Sequence, residues 1–128
     1  MKSRDNAIRL KRFQVEEKRR QVAQIEAMIA EFERMAGELD NQINAEQERA
    51  GIHDVNHFAY PTFAKAAMQR RDNLNASADE LREQLAGAKT EFDAAVDELS
   101  KQEAIAERDL GHDKQSATGA AQAPVAVR

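Results

Sequence analysis

Apolar residues recur every seven positions along the first half of the chain: Ile8, Val15, Val22, Ile29, Ala36 and Ile43. Three residues after each stand Lys11, Lys18, Ile25, Phe32, Leu39 and Glu46. From Val22 to Ile43 both the a and d positions of a heptad are filled, which predicts a helix with one apolar seam. Before Val22 the d positions are lysines, so the seam loosens toward the N-terminus. The pattern carries a helix over about 5–50, with no Pro and one interior Gly, Gly37. Gly51 follows the last periodic residue, where a left-handed cap is usual.

Residues 51–61 read as a connection. Asp54 can cap a short turn at 55–59 by accepting backbone N–H bonds. Tyr60 precedes Pro61 and is pushed away from the α region, and Pro61 suits the first turn of a second helix. That helix is expected over about 62–110. Its a positions are Ala64, Arg71, Ala78, Leu85, Phe92, Leu99 and Ala106. Its d positions are Ala67, Leu74, Leu81, Ala88, Ala95, Gln102 and Asp109. Gly111 ends the pattern, and residues 112–128 lack large apolar side chains until the last four. Such a tail buries too little surface to offset its ordering entropy, so 111–128 is expected to be disordered.

Two helices of nearly equal length joined by a short connection fold back on each other. The expected architecture is all-α: a long antiparallel two-helix coiled-coil hairpin over 1–110. The seams match when paired positions sum to about 110. Ile43 then meets Ala67, Ile29 meets Leu81, Ile25 meets Leu85, and Val15 meets Ala95. A single chain folded this way is a rod roughly 70 Å long; a homodimer pairing its helices between chains is the alternative.

Composition sharpens this picture. Ala, Glu, Lys, Leu and Arg make up half of the 128 residues. Leu, Ile, Val and Phe are just under a fifth, a fraction that without periodicity would signal disorder. Few aromatics and only two prolines disfavour a β domain. There is no Cys, hence no disulfide, thiolate site or thiol nucleophile. No apolar run approaches the roughly 20 residues that cross a bilayer, and no secretory signal is visible.

Charge is unevenly spread. Residues 1–20 hold eight basic and three acidic side chains, whereas the whole chain is −4. A basic end can meet nucleic acid or an internal acidic partner. Residues 83–110 are acidic and lie beside the basic stretch in an antiparallel hairpin, so internal pairing is the preferred explanation. It leaves Lys11 and Lys18 at seam positions unexplained, and these suggest an end held by another protein.

No catalytic constellation appears: no Gly-rich phosphate loop, no HExxH and no GxSxG. His53, Asp54 and His57 are a weak metal signal and read better as a polar loop. No cofactor is expected. Phe58, Tyr60 and Phe63 cluster near the connection in a chain with six aromatics. They either cap the seam or form a docking patch. Leu10, Phe13, Met28 and Met35 fall off the seam; Leu10 and Phe13 widen the apolar face beyond what a two-helix seam uses.

Two stretches carry a resemblance. Met1 through Arg20, continuing through Ile25 to Met35, resembles the opening of FliJ, the coiled-coil protein family of the bacterial flagellar type III export apparatus. The run from His57 to Ala67 (HFAYPTFAKAA) and the run Arg70-Arg71-Asp72-Asn73-Leu74 look like the start of the second helix in the alphaproteobacterial branch. The resemblance spans roughly residues 1–110. It implies a non-enzymatic stalk between the hexameric export ATPase and the membrane export gate, which also associates with export chaperones. The location implied is the cytoplasmic face of the inner membrane at the flagellar base, without membrane insertion or nucleic-acid binding. On this chain it points to Arg9, Lys11, Arg12, Lys18 and Arg19 for the ATPase. For the gate it points to Phe58, Tyr60, Phe63, Arg70 and Arg71.

Overall fold

A computed structural model describes residues 2–126, with side chains described for 2–111. Two long helices pack against each other: α1, Lys2–Ala50, and α2, Thr62–Ala126. There is no strand among the described residues. The chain divides into two packed units, one spanning Arg20–Lys89 and the other joining the stretch up to Arg19 with that from Thr90 onward.

The unit Arg20–Lys89 holds most of the buried apolar surface. Ile25, Ile29, Leu81 and Ala88 form one buried cluster, with Val22, Phe32 and Leu85 packed against it. Leu39, Ile43 and Ala67 form a second, joined by Met68 and Leu74. All but Met68 are a or d residues of the two heptads, and Ile43 with Ala67 and Ile29 with Leu81 share a cluster as the antiparallel register requires. Ion pairs keep the same register: Arg71 Nη1 lies 2.9 Å from Asp40 Oδ1, and Arg82 binds Glu33. Ala36, Ala64, Ala67 and Ala78 are all buried, Ala64 completely. Alanine at these positions lets the helix backbones approach closely, at the cost of a thin core.

The connection is built as its residues dictate. Gly51 adopts φ +73° and donates its N–H to Gln47 O at 2.8 Å. That 5→1 bond is the left-handed cap that closes α1. Asp54 Oδ1 accepts from Asn56 N at 2.9 Å, and Asp54 O accepts from His57 N at 3.0 Å. Pro61 O accepts from Lys65 N at 3.1 Å, so Pro61 stands just before α2 and its carbonyl starts the helical ladder.

The other unit packs more loosely. Ile8 is its one buried apolar residue among those described. Val15, Phe92, Ala95, Leu99 and Ala106 are only half-buried, as are Lys11 and Lys18. Lysine at two d positions keeps this seam open to water, because the ammonium group must stay solvated while its stem lies along the seam.

Helix α2 carries its backbone assignment to Ala126. Gly111 lies inside the helix without the positive φ found at Gly51. An isolated interior Gly costs about 1 kcal/mol relative to Ala. The side chains of the expected tail, beyond Gly111, lie outside the described residues.

Candidate functional site

Two groups of residues were singled out by the sequence, and each falls within one unit. The basic group lies in the unit containing residues up to Arg19. Arg12 Nη2 donates to Glu103 Oε2 at 2.9 Å, and Lys18 Nζ donates to Glu91 Oε2 at 2.9 Å. Arg4 pairs with Asp109. Arg19 turns instead to Glu16, three residues earlier on α1, with its Nη2 2.6 Å from Glu16 Oε2. That hydrogen bond raises the Arg19 pKa above its ordinary value. Arg9 and Lys11 make no ion pair among the described residues.

The acidic end of α2 therefore neutralises much of the basic end of α1. Cross-helix pairing is what the charge asymmetry builds. Each pair is solvent-exposed and contributes little alone, about 0–1 kcal/mol. Collectively they select the antiparallel register. Leu10 and Phe13 are exposed on α1 beside this group.

The second group lies in the unit Arg20–Lys89, and the structure separates its members. Tyr60 is buried, only 7 % exposed. Gln47 Nε2 donates to its hydroxyl at 2.7 Å, and the hydroxyl points at Met68 Sδ at 3.5 Å. Tyr60 thus ties the end of α1, the connection and the start of α2 together. Phe58 is 96 % exposed, stacked on His57 with ring centroids 4.7 Å apart. Phe63 is 56 % exposed. So the two readings of the aromatic cluster divide between residues: Tyr60 caps the seam, while Phe58 and Phe63 face solvent.

Arg70 and Arg71 divide in the same way. Arg71, an a-position residue, is half-buried and held by Asp40 and by Asp72, whose Oδ1 lies 3.0 Å from Arg71 Nη2. The Asp40 hydrogen bond is the larger cause of its raised pKa. Arg70, one residue round the helix, is exposed and lines a shallow groove with Met35, Asn73, Leu74 and Ser77. Of these lining residues, Asn73 and Ser77 were not singled out from the sequence. The signal was present as a second stripe on α2, Phe63, Arg70 and Ser77 at seven-residue spacing beside the seam.

His53 is exposed, and His57 uses Nδ1 to accept from Ala59 N at 3.0 Å. No group of three His, Asp or Glu side chains is arranged for a metal ion among the described residues. No described helix is long and apolar enough to cross a membrane. No known family model, curated protein or solved structure matches the chain.

Proposed function

We propose that this chain is a non-enzymatic stalk of a flagellar type III protein export apparatus, coupling the hexameric export ATPase to the membrane export gate. It would work at the cytoplasmic face of the inner membrane at the flagellar base, with export chaperones as further partners. The observation that carries the reading is a division of labour along one helix pair. One unit is packed for its own stability. The other keeps lysines in its seam and leaves Leu10 and Phe13 uncovered, a surface finished by a second protein. The resemblance of residues 1–35 and 57–74 to FliJ supplies the identity of the machine.

In this reading Arg9 and Lys11 meet the ATPase, because Arg12, Lys18 and Arg19 already hold carboxylates of the chain. Phe58, Phe63 and Arg70 face the gate, while Tyr60 and Arg71 position the surface from within. The test is co-purification with the export ATPase and a motility assay of a deletion strain. The expected result is co-elution of wild-type chain with the ATPase, loss of co-elution in Arg9→Glu/Lys11→Glu, and impaired swimming on deletion. Unimpaired swimming, with no ATPase association, would refute the reading.

A further inference from the structure

We propose that the groove between Met35 of α1 and Leu74 of α2 seats an acidic amphipathic helix of a partner protein, with a partner carboxylate on Arg70. The groove has a volume of about 240 Å³. Met35 and Leu74 give it apolar walls, and Arg70, Asn73 and Ser77 give it a polar margin on α2. It is open to solvent along one side, unlike the enclosed pockets that take small ligands, and suits helix-in-groove docking.

Charge points to the occupant's chemistry. Within the unit Arg20–Lys89, Arg34, Arg49, Arg71 and Arg82 each hold a carboxylate. Arg70 holds none among the described residues, and it is the arginine at the groove. A guanidinium is a fork of donors matched to a carboxylate. Its neighbour Arg71 is already bound by Asp40 and Asp72, so it does not compete for an incoming anion.

Apolar residues extend the surface along both helices. Phe63 precedes Arg70 by one heptad, and Met28 precedes Met35 by one heptad, and both are exposed. Because the helices are antiparallel, Phe63 and Met28 flank the groove on opposite sides. A helix touching Phe63, the groove and Met28 in turn is about 20 residues, or roughly 30 Å, long. The anchors it needs are apolar side chains at three- and four-residue steps with acids beside them.

This surface shares Phe63 and Arg70 with the gate-facing side proposed above but does not rest on that reading. The test contains no export component, so its failure and that of the export reading are separate results. The probe is a fluorescent helical peptide of about 20 residues with Leu at a and d and Glu at e and g. Its counterpart carries Lys at e and g. Binding to the full chain is read by fluorescence anisotropy. The chain is −4 overall, so bulk electrostatics favours the Lys peptide. The proposal expects the reverse, the Glu peptide binding about tenfold more tightly. Arg70→Glu, at an exposed side chain, is expected to invert that order, and Met35→Asp to weaken both peptides.

Three binding outcomes overturn the proposal: no binding of the Glu peptide, preference of the wild-type chain for the Lys peptide, or an order unaffected by Arg70→Glu. A wild-type dimer in sedimentation that Arg70→Glu converts to monomer also overturns it, since the occupant would then be a second copy. The order of the two peptides on wild type and Arg70→Glu decides the matter even if Met35→Asp fails to fold.

Discussion

Replacing Tyr60 tests whether one aromatic near the connection is structural and its neighbours are not. Tyr60 is 7 % exposed, whereas Phe58 is 96 % exposed three residues from the start of the second helix's proline turn. An aromatic side chain buries 150–250 Å², worth about 4–6 kcal/mol at 25 cal/mol per Å² as an upper bound. Aromatic-to-alanine changes in cores cost about 3–5 kcal/mol. Tyr60 lies at the end of a two-helix seam, where water can fill part of the gap, so Tyr60→Ala is expected to cost about 3 kcal/mol. Tyr60→Phe removes only the hydroxyl that accepts from Gln47. Gln47 is half-buried and can turn to water, so the loss is about 0.5–1 kcal/mol. Phe58→Ala should stay within about 0.5 kcal/mol of wild type.

The assay is urea unfolding followed by far-ultraviolet circular dichroism. With a urea slope of about 1–3 kcal/mol per molar, Tyr60→Ala lowers the midpoint by about 1–3 M. The chain has one Tyr and no Trp, so tyrosine fluorescence reports on the connection alone in wild type and Phe58→Ala. Coincidence of fluorescence and dichroism transitions would show that the connection unfolds with the helices. A Tyr60→Ala midpoint within experimental error of wild type, or Phe58→Ala as costly as Tyr60→Ala, would refute the assignment of Tyr60 as the seam's cap.

The narrow seam makes a further prediction of opposite chemistry: Ala64→Leu, at a fully buried alanine, adds volume that the close backbones cannot admit and should cost about 1–3 kcal/mol in the same unfolding assay. Lys11→Leu/Lys18→Leu should stabilise the chain by about 1 kcal/mol, since filled d positions outweigh one exposed ion pair; a lower urea midpoint would contradict it. Acid should weaken the chain in a defined window. Hydrogen bonds from Arg34 and Arg49 hold the carboxyls of Glu31 and Glu46 below their ordinary values. The unfolded chain therefore binds more protons than the folded one around and below the ordinary carboxylate range. The contribution of these pairs is complete above that range and is lost as pH falls through the depressed folded values. Urea midpoints should thus show no loss from these groups between neutrality and mild acid, and a decline below the carboxylate range; a loss already complete in mild acid would disagree.

Seven-residue spacing was enough to read the two helices, their antiparallel pairing and the weak end of the seam. Those properties are local and periodic, so Ile25, Ile29, Ile43, Ala67 and Leu81 declare their face by position alone. The left-handed cap at Gly51 was legible for the same reason, because a glycine after the last apolar repeat has few other uses.

Composition likewise predicted that basic and acidic stretches would lie together, and Arg12 with Glu103 and Lys18 with Glu91 are the pairs it led to. Neither spacing nor composition could sort the aromatics of the connection. Tyr60 and Phe58 are equivalent in sequence terms, whereas the heptad already set Arg71 at an a position and Arg70 beside the seam. Which of the two aromatics is buried depends on the path of the connection. Tertiary packing decided that Tyr60 serves the hairpin, and it gave Arg71 its partners, Asp40 and Asp72. It left Phe58 facing outward, because only one of the two aromatics could turn back onto the helix pair.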